Sequence, residues 1–269
     1  MTLGPTDLVL SHFSLPLTTP FEERVAAAAD AGFAGIGYYV AEYVELRAQG
    51  WTDDRFQRVL DRHAMVLHEV DALPLVRLTH LDASIHVART FGAHHLQVQG
   101  DRPGTVADAA ATIGAIAERV ADDGIGVSIE FVGCKNIATA ADALELAELS
   151  GRPNVGVQAD VWHLVRGAND WSQLEAIPGA RLQSIQLDDG PRLPVDPDYL
   201  ADTVHHRCVP GEGEFDLARF LTTLWATGAR LPVSLEVIDD DLSVLPPSEA
   251  ARRIGDATRA LLASLDPPT

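Results

Sequence analysis

VSIEF at 127–131, VGVQAD at 155–160, LQSIQL at 182–187 and VSLEV at 233–237 carry the reading that decides the fold. Each is a short apolar run with a polar side chain near its end and another two residues earlier. The pairs are Ser128 and Glu130, Gln158 and Asp160, Ser184 and Gln186, and Ser234 and Glu236. Strand residues alternate faces, so each polar pair shares one face while Ile129, Ile185 and Leu235 turn to the other. A packed barrel interior ordinarily carries bulky branched side chains, so inward polar pairs on four successive strands indicate a hydrated barrel mouth.

Working outward, strands are expected at 8–14, 33–39, 65–71 and 95–99 as well. Helices are expected at 21–31, 53–63, 78–90, 107–122, 138–149, 171–177, 217–227 and 247–265, with a long loop over 190–214. Thr19-Pro20 opens the first helix and Gly32 closes it, as helix punctuation requires. Eight strand–helix units in 269 residues predict an α/β fold, a single-domain (β/α)8 TIM barrel over 1–269. The first strand–helix turn lacks G-x-G-x-x-G, which removes the main support for a dinucleotide-binding open sheet.

Apolar residues make up 46% of the chain and charged residues 22%, enough to form a substantial core. A net charge of −19, from 39 acidic and 20 basic residues, argues against nucleic acid as a partner, since phosphate binding needs a cationic face. No apolar run approaches the ~18 residues that span a bilayer, and the N-terminus lacks a secretory pattern. Cys134 and Cys208 do not make a disulfide framework, so inert thiols in a reduced, cytoplasmic setting are expected.

Glu130, Asp160, Gln186 and Glu236 are the candidate metal ligands. Three converging carboxylates without a counter-ion repel one another and raise their own pKa values. One divalent cation resolves this, and an all-oxygen set suits Mg²⁺ or Mn²⁺.

With AADAGFAGI at 28–36, Asp160-Val161-Trp162-His163 and PGEGEFD at 210–216, the chain resembles the xylose isomerase-like superfamily of sugar isomerases, epimerases and lyases. That resemblance implies a Glu, Asp, His-or-Gln, Glu metal set on strands five to eight. It also implies that His163 and Arg192 contact substrate, and that the chain forms a homo-oligomer. Two departures stand out. Strand two ends Gly37-Tyr38-Tyr39 where many relatives place a glutamate. Gln at 186 is similar to hydroxypyruvate isomerases and 3-dehydroshikimate dehydratases rather than to the epimerases that carry His.

At the remaining strand ends, His12, His68, Gln97 and Gln99 are expected to line the pocket, the two glutamines recognising hydroxyls. Tyr38, Tyr39 and Trp162 are candidate pocket walls, and Trp171 rim packing. His94-His95 is expected to be structural, and Arg207 to order its loop or meet an acidic group.

The function expected is proton transfer beside the carbonyl of a small polyhydroxylated substrate, through a metal-stabilised enediolate. Glu130 and Glu236 are the candidate catalytic pair, one removing the proton and the other returning it. The product is an isomer or epimer. If a β-hydroxyl leaves instead, the same intermediate gives dehydration by a lyase, with His163 or His68 assisting. The reading from another class is a non-catalytic barrel that only binds ligand. An endonuclease needs a histidine-rich metal cluster and a cationic face, which this composition disfavours.

Overall fold

A computed structural model describes residues 2–265 and Pro267. Eight parallel strands close a barrel in sequence order: β1 (Leu8–Leu10), β2 (Gly35–Tyr39), β3 (Val66–Pro74), β4 (His95–Gln99), β5 (Gly126–Glu130), β6 (Val155–Asp160), β7 (Leu182–Leu187) and β8 (Val233–Leu235). Asp160 pairs in register with Gln186, and Gln186 with Ser234, so the polar strand ends meet at one rim.

Local chemistry explains the helices around it. Thr105 and Asp108 cap each other's backbone N–H groups at the start of Val106–Val120, and Thr139 and Asp142 do the same for Ala140–Leu149. The helix Asp53–Arg62 buries Phe56, Val59 and Leu60 and leaves its charged face to solvent. Outward strand residues such as Ile129, Ile185 and Leu235 are fully buried beneath these helices. Among the described residues no helix is long and apolar enough to cross a membrane.

Four expectations need correction. β1 ends at Leu10, and His12–Ser14 is a 3-10 turn in which Ser11 caps the N–H of Phe13, so the chain leaves the strand direction earlier than expected. β3 continues to Pro74, three residues beyond the expected end, which changes the level of everything on it. Val40–Ala48 is a helix that buries only Val40 and Tyr43, too weak a pattern to read. The long loop contains a helix, Tyr199–His205.

Candidate metal centre at the barrel mouth

Gln158, one layer below the rim, organises the centre. Its Oε1 accepts from Ser128 Oγ at 3.1 Å, while its Nε2 donates to Glu130 Oε1 at 3.1 Å and to Gln186 Oε1 at 2.8 Å. Two expected ligands are thus aimed by one buried amide. Asp160 follows at the end of β6, where Oδ1 caps the next helix by accepting from Trp162 N at 2.7 Å and Oδ2 remains for the centre. Glu236 lies just past β8 and accepts from Ser11 Oγ at 3.2 Å.

Arg207, expected to order its loop or meet an acidic group, meets three carboxyl groups at the heart of the centre. It is fully buried among the carboxyl groups. Its Nη1 donates to Asp160 Oδ2 at 3.2 Å, to Asp188 Oδ2 and to the Glu236 carbonyl at 3.1 Å, and its Nη2 lies 3.0 Å from Glu236 Oε2. The loop that delivers it is stapled by Asp189, which accepts from the N–H groups of Gly190, Gly211, Gly213 and Phe215 at 2.8–3.1 Å. A Cβ at Gly213 would meet Asp189 Oδ1 and come within 2.5 Å of Gly190 N. The PGEGEFD stretch therefore exists to fold this loop over the barrel and set Arg207 into it.

His163 closes the third side. Its Nδ1 is hydrogen-bonded with the Tyr199 hydroxyl at 2.8 Å, and its Nε2 lies 3.7 Å from Asp160 Oδ2 and 3.9 Å from Glu130 Oε1. Glu130, Asp160 and His163 each offer one ligand atom within 4.8 Å of the other two.

The electrostatics follow from four buried carboxyl groups around one guanidinium. Burial, then the neighbouring Glu236 and Asp160, pushes Glu130 well above the usual carboxylate range. Burial raises Glu236 to about 7 despite Arg207. Burial holds Asp188 high as well, and lowers His163 to about 4, which keeps the imidazole neutral.

These residues fit a hard divalent cation. The donors are carboxylate and amide oxygens, and the negative charge of Glu130, Asp160, Asp188 and Glu236 exceeds what the single guanidinium of Arg207 offsets. Glu130, Asp160, Gln186 and Glu236 would hold the ion, with His163 beside them.

The other expected residues divide. His12 and Tyr39 meet at the mouth, ring centroids 5.7 Å apart, on a loop pinned by buried Arg24, which donates to the carbonyls of His12, Leu15, Pro16 and Thr19. Gln97 is buried below the rim with Oε1 unpartnered, and Gln99 opens into a cavity of about 560 Å³ beside the centre. That cavity is also lined by Tyr39, Arg77, His80 and Lys135.

Four expected positions are corrected. His68 is the third residue of a strand that runs to Pro74, so it lies at the opposite end of the barrel, stacked on His94. Arg192 is exposed on its loop, where only its backbone N–H is held, by Glu214 at 2.8 Å. Tyr38 faces outward against Phe21 and Phe56. Trp162 is packed under Arg166 and Phe215, its Nε1 donating to Thr203, and walls nothing.

Gly37 explains the missing glutamate of strand two. A Cβ there would lie 2.7 Å from Glu69 Oε1 and 2.8 Å from Asp71 Oδ2. Both carboxyl groups are fully buried, so strand three fills the space that a strand-two side chain would need. Burial raises Glu69 to about 7, and burial with Glu69 beside it raises Asp71 well above its usual range.

The family described as "Xylose isomerase-like TIM barrel" matches residues 25–261, and the chain belongs to it. A 3-dehydroshikimate dehydratase of Pseudomonas putida is 34% identical over 128 residues, 48% of this chain and 19% of that protein. An inosose isomerase of Halalkalibacterium halodurans is 29% identical over 137 residues, 50% of this chain and 47% of that protein. The matched segments thus span less than half the length of either relative. Among solved structures, one described as "IOLI protein with a binding zinc atom" superposes with a TM-score of 0.85 at 17% identity, covering 97% of this chain and 99% of that one. D-allulose 3-epimerase from Methylomonas sp. gives 0.73 at 18% identity, covering 98% and 100%. At these identities the likeness is one of fold.

Proposed function

We propose that this member of the xylose isomerase-like family is an enzyme that moves a proton at the carbon beside a carbonyl of a small polyhydroxylated substrate, interconverting isomers or epimers. The observation that carries this reading is the pair Glu130 and Glu236, buried at the mouth with pKa values raised toward or above neutrality. A carboxyl group poised there can take a proton from carbon and give it back at neutral pH. Glu130 and Glu236 come from strands five and eight and can serve two faces of a bound substrate. Arg207 positions Glu236, Gln158 positions Glu130, and His163 offers a neutral imidazole to a substrate oxygen. A bound Mg²⁺ or Mn²⁺ would supply positive charge where the carbon acid's oxygen becomes negative. The name of one relative, inosose isomerase, supports the class.

A second reading, dehydration, is favoured by the rim of the 560 Å³ cavity. Lys135, the single lysine of the chain, lines it together with Arg77 and His80, and the only carboxylate there is Asp101, 3.7 Å from the lysine. In a chain of net charge −19 such a rim suits an acidic substrate. A 3-dehydroshikimate-like acid presents a carboxylate to it, and loss of the β-hydroxyl after proton removal gives an aromatic product. The test offers inosose and keto-sugars in D₂O to the metal-loaded enzyme, and 3-dehydroshikimate in parallel. Solvent deuterium at carbon supports the first reading, new aromatic ultraviolet absorbance the second, and neither with bound ligand returns the chain to a binding role.

A further inference from the structure

We propose a second cation site at the other end of the barrel, where His68, His94 and His95 hold a transition-metal ion such as Zn²⁺ through three imidazole nitrogens. β4 begins at His95, and His94 N donates to the carbonyl of His68 at 2.8 Å, so all three stand at the N-terminal ends of β3 and β4. One ring nitrogen of each lies within 4.8 Å of the other two.

The spacing favours coordination over hydrogen bonding. His94 Nδ1 and His95 Nδ1 are 3.4 Å apart. An N–H donor normally sits about 2.7–3.2 Å from its acceptor, so this contact is long for a hydrogen bond. Two nitrogens about 2.0–2.1 Å from one tetrahedral zinc ion stand roughly 3.3–3.4 Å apart. His95 stands nearly perpendicular to both other rings, while His68 is stacked on His94 with planes 9° apart, so joint coordination requires His68 or His94 to turn about its Cβ–Cγ bond and bring its lone pair onto the ion.

The surroundings supply what such a site requires. His95 Nε2 is fully buried with no hydrogen-bond partner among the described residues, and it faces Glu69 Oε2 at 3.7 Å. Glu69 is itself fixed by Ser234 Oγ at 2.6 Å. An imidazole ligand is commonly oriented in this way, by a carboxylate at its far nitrogen. Burial lowers the pKa of all three histidines, leaving their lone pairs free at neutral pH. A cavity of about 380 Å³, lined by His68 and His94 together with Arg89 and Asp123, leaves the fourth position to water. Three imidazoles with no carboxylate ligand select zinc, cobalt, nickel or copper over magnesium and manganese, the reverse of the mouth.

The experiment titrates chelator-treated full-length protein with Zn²⁺ and Co²⁺ in excess Mg²⁺, for wild type, His94→Gln and Glu236→Gln, with circular dichroism confirming the fold. His94 is half-buried, so its exchange for glutamine leaves the core intact. The expected result is that His94→Gln takes up one equivalent fewer and loses the visible tetrahedral Co²⁺ bands, while Glu236→Gln keeps those bands. Equal stoichiometry in wild type and His94→Gln overturns the proposal, as do bands that disappear only in Glu236→Gln. Neither outcome depends on what the mouth catalyses.

Discussion

Arg207 Nη2 lies 3.0 Å from Glu236 Oε2, an ion pair in which the arginine is fully buried and the glutamate side chain only 7% exposed. The candidate proton carrier is therefore held by the residue that also neutralises Asp160 and Asp188. Replacing Arg207 with leucine strands three carboxyl groups without their cation. Removing one member of a buried pair costs about 3–5 kcal/mol. Chemical denaturation of the metal-free variant is expected to show a loss of that size, and saturating Mn²⁺ is expected to restore part of it.

Glu236→Gln keeps the shape and the acceptor for Ser11 but cannot exchange a proton. A positioned acid–base group contributes about 10²–10⁴-fold. A fall in kcat of that order with KM little changed is expected, together with loss of solvent-deuterium incorporation. Retained turnover removes Glu236 from the proton-transfer step.

Cation affinity at the mouth is expected to fall as the pH is lowered through about 7. A ligand carboxyl must be ionised, and burial raises Glu236 to about 7, so the ion competes with a proton below that point. Calorimetric titration with Mn²⁺ in buffers of different ionisation enthalpy reads the released protons directly. Proton release at pH 6.5 is expected to exceed that at pH 8.5.

Glu69 gives a stability signature of the opposite sign: its Oε1 accepts from Ser234 Oγ at 2.6 Å, and burial, with Glu236 nearby, raises its pKa. Its folded pKa of about 7 is above its ordinary value of 4.5, so the folded state binds the extra proton. The stabilisation is complete below about 4.5 and lost as the pH rises through 7. Glu69→Gln is expected to be more stable than wild type at pH 8, by up to about 3 kcal/mol, and similar to it at pH 4.5. Thermal unfolding at the two pH values decides this.

Gly213→Ala tests the loop that carries Arg207. Its Cβ would press on Asp189 and Gly190 N. A loss of about 1–3 kcal/mol, typical of overpacking, is expected alongside weaker metal binding, because the same loop sets the arginine.

The alternation of polar and apolar residues was enough to locate Glu130, Asp160, Gln186 and Glu236, because a two-residue period on a buried strand leaves little freedom in where a side chain points. Positions off the strands were less legible. Arg192 and Arg207 are both loop arginines after β7, and no periodicity distinguishes them; the Asp189 staple turns one inward and leaves the other in solvent. A strand ending near residue 71 would bring His68 close to the mouth; β3 runs on to Pro74, which leaves His68 in the lower barrel. Gly37 was visible as a missing glutamate, but the carboxyl groups that fill its space come from a neighbouring strand, a relationship set by register.

The solitary lysine at the cavity rim has a practical consequence. Apart from the α-amine of the chain, Lys135 is the only primary amine the protein offers. Amine-selective chemistry, such as reductive methylation with labelled formaldehyde, therefore writes a single side-chain reporter, at the cavity rim, whose resonance has only that of the α-amine beside it. A ligand arriving at the rim would be seen by that methyl resonance without a single substitution.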